Sequence, residues 1–164
     1  MMLSQLIEFT LIVGIGSTIA LDLWALLLDK FAGFPGTHWG MVGRWLLGIP
    51  HGNLVLDTDN ETPASMEEWT IGWIFHYLVG LAYAAMLPLF WGIGYIAAPT
   101  VFPVFMIGVV VSSLAGLMIL MPGLGGGLFA RKTPNPALMI AYVIVAHSVF
   151  ALAQFLLALG VSGN

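Results

Sequence analysis

The sequence predicts an all-α integral membrane protein, a four-transmembrane-helix bundle with a short interfacial helix in its first cytoplasmic loop. Three observations predict it. Hydrophobic residues fill 60% of the 164 positions and charged residues only 7%, against about 25% charged in a soluble domain. Mean hydropathy is +1.00. The apolar residues gather into four runs, each longer than the ~20 residues that cross ~30 Å of hydrocarbon. Such a chain cannot clothe a water-facing surface. In lipid each run must close its backbone hydrogen bonds upon itself, which makes it a helix.

The first run covers about residues 3–28, broken mainly by Glu8 and Asp22. It has no basic leading segment, its apolar stretch is too long for a secretory leader, and no small-residue cleavage pattern follows, so it reads as a retained span. The second run covers about 66–91. Ser65 and Glu68 form a capping box at its start, and Pro88 predicts a kink. The third covers about 100–121 and stops at Pro122 and a glycine cluster. The fourth covers about 136–159, with Asn135 as N-cap and Pro136 in the first turn. No internal repeat is convincing, and residues 1–164 read as one transmembrane domain.

The loop from about 29 to 65 is too long for a simple connector. Residues 38–47 are apolar, aromatic and glycine-rich, and read as a short helix in the interface with Trp39 and Trp45 at headgroup level. Residues 57–63 read as polar and solvated.

The chain holds only 4 Lys+Arg. Lys30 and Arg44 lie between the first two spans, Arg131 and Lys132 between the last two. Four spans put both loops on one side, and the positive-inside rule makes that side cytoplasmic, with both termini across the membrane. Arg44, Arg131 and Lys132 are the expected contacts for lipid headgroups or other anions. So few cations exclude nucleic-acid binding. The absence of cysteine excludes disulfides, thiolate nucleophiles and sulfur-rich metal sites.

Asp22, His76 and His147 stand inside apolar runs, where ionisable groups are costly and turn toward the bundle interior. By helix rise they lie roughly 10, 13 and 16 Å below the cytoplasmic face, within about one turn of one another. Each run also carries a stripe of small or polar residues at helical spacing: Gly14, Thr18 and Asp22; Gly72, His76 and Gly80; Gly108, Ser112 and Gly116; His147 and Gln154. Such stripes allow helices to approach closely. An intramembrane polar cluster of Asp22, His76, His147 and Thr18 is therefore expected, and Glu8 with Gln154 as a second, outer polar layer.

The residues leave the purpose of that cluster open. It fixes packing register, handles a proton or ion, holds a metal through Asp22, His76 and His147, or places His76 and His147 about a haem. The reading without any cofactor needs the fewest assumptions. The run Gly123–Leu124–Gly125–Gly126–Gly127 lacks the Gly-Lys-Ser/Thr ending of a phosphate loop and reads as a helix stop with a tight turn. No nucleophile–base pair supports catalysis.

Several stretches carry a family resemblance: Asp22-Leu23-Trp24, Thr37-His38-Trp39-Gly40-Met41-Val42-Gly43-Arg44-Trp45, Gly72-Trp73-Ile74-Phe75-His76-Tyr77, Pro99-Thr100, Met121-Pro122-Gly123, Thr133-Pro134-Asn135-Pro136 and His147. Through them the chain resembles a family of small bacterial inner-membrane proteins classed only as a domain of unknown function. The resemblance implies four helices and a bacterial inner-membrane location, and it supplies no activity. One departure is the sparse charge even in the loops, which suits a surface covered by partners. Two roles follow as expectations: a membrane protein handling a proton, ion or small molecule, as a homo-oligomer, or a non-catalytic accessory subunit of a larger membrane complex.

Overall fold

The computed structural model describes residues 2–162, of which helix is the only regular structure; the chain is 79% helical. Five helices organise it: α1 (Met2–Ala32), α2 (Trp39–Gly48), α3 (Met66–Trp91), α4 (Val101–Gly123) and α5 (Pro136–Ser162). All but α2 are long and apolar enough to cross a membrane. Only 22% to 33% of each one's most apolar window is buried, so most of that apolar surface points outward. Residues such as Leu26, Leu78, Ile119 and Leu152 are exposed. Water would not tolerate such an exterior; a bilayer matches it.

The ends follow local chemistry. Ser65 Oγ accepts from the Glu68 amide at 3.2 Å and Glu68 Oε2 accepts from the Ser65 amide at 2.7 Å, closing the expected box at the start of α3. Asn135 Oδ1 caps α5 by accepting from the Leu138 amide. α1 runs about a turn beyond its apolar stretch because Asp29 and Lys30 still propagate a helix; Gly33, at φ +64°, ends it by donating to the Asp29 carbonyl. α3 continues past Pro88 to Trp91 and stops at Gly92, φ +88°. α4 departs from a plain α-helix. Its backbone takes the wider π form over Phe105–Val111 and again over Gly116–Leu120.

The described residues form two compact units. The first draws on Met1–Gly36, Tyr77–Ser113 and Ile144–Asn164, and in it segments of all four long helices pack together. Phe9, Val13, Ala84, Leu87, Val104 and Ile107 lie in its core. Small residues set the spacing. A methyl placed on Gly14 would come within 2.8 Å of the Leu81 Cα, and one on Gly16 within 2.6 Å of Leu157 Cδ1. One on Gly80 would strike the Thr18 hydroxyl. The turn after α3 seals one end: Tyr95 is buried and meets Phe9 edge-to-face at 6.1 Å.

The second unit draws on Thr37–His76 and Leu114–Val143. Here α2 is packed on the first turns of α3, backbone against backbone. A methyl on Gly43 would meet the Glu68 carbonyl, and one on Gly72 the Trp39 carbonyl. A methyl on Gly40 would lie 2.6 Å from Ala64 Cβ and 3.0 Å from the Trp69 ring. His38 caps α2, its Nδ1 accepting from the Met41 amide, and its ring lies 4.6 Å from that of Trp69.

The short helix predicted over 38–47 thus forms, but the expectation of Trp45 as a headgroup anchor is corrected. Trp45 is buried, its ring lies on Gly123, and its N–H donates to the Leu54 carbonyl at 2.9 Å. The cause is Gly123, whose missing side chain opens a seat that the indole fills. The long loop is also tied down, since the Leu56 amide donates to the Gly123 carbonyl at 2.7 Å. The glycine-rich run is a stop and turn. Its Gly125 and Gly126 amides donate to the Pro122 and Met121 carbonyls, which removes them as phosphate donors.

Substituting Gly43→Ala or Gly72→Ala forces two backbones apart, so each is expected to cost roughly 2–3 kcal/mol or more and to lower the melting temperature by ~5 °C or more. Gly94→Ala, where an added methyl meets nothing within 4 Å, is expected to be near neutral. Thermal melts in detergent distinguish the three.

Candidate functional site

In the first unit, the spacing Gly14–Thr18–Asp22 puts three small or polar residues on one stripe of α1. Thr18 is fully buried, and its hydroxyl donates to the Gly14 carbonyl at 2.7 Å; Ser17, beside it, donates to the Val13 carbonyl at 2.6 Å. Back-bonding of this kind hides a hydroxyl in an apolar setting while its oxygen can still accept. Asp22 is half-buried, and the Tyr77 hydroxyl donates to its Oδ2 at 3.0 Å. α1 and α3 are thus joined by an intramembrane carboxylate–phenol pair. His147, half-buried on α5, shares a 3.1 Å hydrogen bond between its Nδ1 and the Ser113 hydroxyl of α4.

The outer layer expected from Glu8 and Gln154 does not form. Glu8 lies on the exposed side of α1, whereas Gln154 is fully buried and neither of its polar atoms has a hydrogen-bond partner among the described residues. Similar depth fails as a guide here because the two residues face different ways around their helices. Gln154 instead lies beside Gly108, where an added methyl would come within 2.8 Å of its Oε1.

In the second unit, His76 is buried and its ring stacks on Trp39 at 3.9 Å, with Trp73 at 5.8 Å. The stack follows from Gly72, which lets α2 bring Trp39 onto α3 one turn before His76. Arg44 is engaged inside the chain rather than held out to headgroups. Its Nε and Nη2 grip the two oxygens of Glu68 at 2.7 and 3.0 Å, and Nη2 also donates to the Thr62 and Pro63 carbonyls. The hydrogen bond to Glu68 raises the guanidinium further above its already high ordinary pKa, so the cation is permanent. The sequence reading placed Glu68 only in a capping box and did not foresee that its carboxylate also holds Arg44. Arg131 and Lys132 are exposed.

Among the described residues, no three His, Cys, Asp or Glu side chains gather in a way that could hold a metal ion. Tyr77, Ser113 and Trp39 are the partners the sequence reading missed. Tyr77 and Trp39 stood in the noted stretches as neighbours of candidate residues, and Ser113 stood next to the α4 stripe.

The side chains of Arg44 and Glu68 are only 13% and 17% exposed, so their pairing carries more weight than a surface ion pair. Arg44→Lys keeps the charge but loses the fork and the carbonyl contacts. It is expected to cost roughly 1–3 kcal/mol and to expose residues 57–63 to protease nicking, read by timed proteolysis.

No curated protein and no solved structure matches this sequence. A family match covers residues 11–161, from the first span through the last, and takes in Asp22, His76, His147 and the α2–α3 contact. The chain belongs to the family described as "Protein of unknown function (DUF2938)".

Proposed function

We propose that this chain is a proton- or cation-handling protein of the bacterial inner membrane, working through Asp22. The observation that carries this reading is the half-buried carboxylate–phenol pair of Asp22 and Tyr77, set in spans made mostly of apolar residues. A carboxylate at bilayer depth is costly and is ordinarily kept for a purpose. The phenol steadies the charged form by donating to it, while protonation or a bound cation neutralises it. Cycling between those states is the elementary step of moving a proton or small cation.

His147, tied to Ser113, and His76 are the imidazoles that the spans add to the same reading. Neither needs a metal or haem for such a role. Four spans are few for an independent pathway, so the reading includes a homo-oligomer.

Reconstituted into proteoliposomes with an entrapped pH dye, the wild type is expected to relax an imposed proton or sodium gradient. Asp22→Asn should cut the rate about tenfold or more, and Tyr77→Phe should reduce it partially, both with melting temperatures near wild type. A wild type that moves neither ion, or an Asp22→Asn variant with undiminished flux, would overturn the reading.

The orientation belongs to the same proposal. Lys30, Arg44, Arg131 and Lys132 favour a cytoplasmic side for the two loops that join α1 to α3 and α4 to α5. The chain has no native cysteine, so single substitutions report cleanly. Asp59→Cys is expected to react with an impermeant maleimide only in inverted vesicles, and Gly94→Cys only in right-side-out cells.

A further inference from the structure

Among the described residues of the first unit, Gln154 is the one buried side chain whose polar atoms lack hydrogen-bond partners: both Oε1 and Nε2 are without one. The other fully buried polar side chains around the same core behave differently. Ser17, Thr18 and Ser112 each donate to a carbonyl of their own helix, at 2.6, 2.7 and 2.6 Å. A primary amide cannot do this for itself. It offers two donors and an acceptor, and leaving them bare in an apolar interior is among the least favourable arrangements available to a folded chain.

Gly108 and Ala151 stand beside the amide, and Gln154 Oε1 lies close to where a Gly108 methyl would stand, at 2.8 Å. Gly108 sits within the π-helical stretch Phe105–Val111, a backbone form that often marks functional positions. Its carbonyl accepts from the Ser112 hydroxyl at 2.6 Å. Leu157, three residues on from Gln154, packs against Gly16.

We propose that Gln154 anchors an internal binding site for a neutral guest presenting both a hydrogen-bond donor and an acceptor. Water fits that chemistry, as does the hydroxyl or amide end of a membrane-soluble molecule. The guest accepts from Nε2 and donates to Oε1. This site does not depend on Asp22 or on ion movement.

The chain has only two glutamines, Gln5 and Gln154, so side-chain 15N labelling of glutamine reports on the site directly, with Gln154→Leu identifying its signal. In delipidated protein a cross-relaxation peak from the Gln154 amide to water identifies water. A Gln154 signal that shifts on delipidation and returns when native lipid extract is added identifies a membrane-soluble guest. If both responses are absent, the proposal is overturned. Thermal melts give a second test of opposite sign: Gln154→Leu removes an amide of similar size. It is expected to lower the melting temperature by ~3 °C or more if a guest is lost, whereas a rise shows a bare amide and overturns the proposal. Should the variant not fold, the wild-type spectra decide alone.

Discussion

Close approach of helix backbones at glycine is the constraint on which both units rest. In lipid there is no hydrophobic gain from joining two apolar helices, so association depends on dispersion contacts, and these grow as backbones come nearer. Gly43 and Gly72 press α2 onto α3, and Gly14 and Gly80 press α1 onto α3. The consequences extend beyond packing. Only because Gly72 admits the Trp39 carbonyl does the indole reach the His76 ring, and only because Gly43 admits Glu68 does Arg44 find both carboxylate oxygens.

That constraint also explains how polar groups survive in a chain with so few of them. Hydroxyls are satisfied by their own helices, so they occupy tight interfaces without needing a partner across the gap. Ionisable groups are met across helices by neutral partners as well: Asp22 by a phenol, His147 by a serine. Glu68 serves twice, closing the cap of α3 and clasping Arg44. Gln154 stands apart because a long amide can neither fold back on its helix nor tolerate bareness.

The two π-helical stretches of α4 add a further element. In the first, Gly108 lies against Ala151 and Gln154 of α5. No feature of the α4 sequence separates such a stretch from an ordinary apolar helix, since the same valines and glycines suit both.

The sequence by itself determined the class, the four spans and their caps. These follow from local quantities: a run of apolar residues long enough to cross lipid, a serine three positions before a glutamate, an asparagine before a proline. It also singled out Asp22, His76 and His147, because an ionisable group in an apolar run is conspicuous wherever it faces. Partners were decided only by the tertiary structure. Tyr77 on Asp22, Ser113 on His147, Trp39 on His76 and Glu68 on Arg44 depend on the rotation of each helix about its axis. Sequence spacing places residues on a common stripe but does not say which neighbour that stripe meets. The same gap explains why Glu8 and Gln154, level by residue count, face opposite environments, and why Trp45, apolar enough for the headgroup region, settles in the seat left open by Gly123.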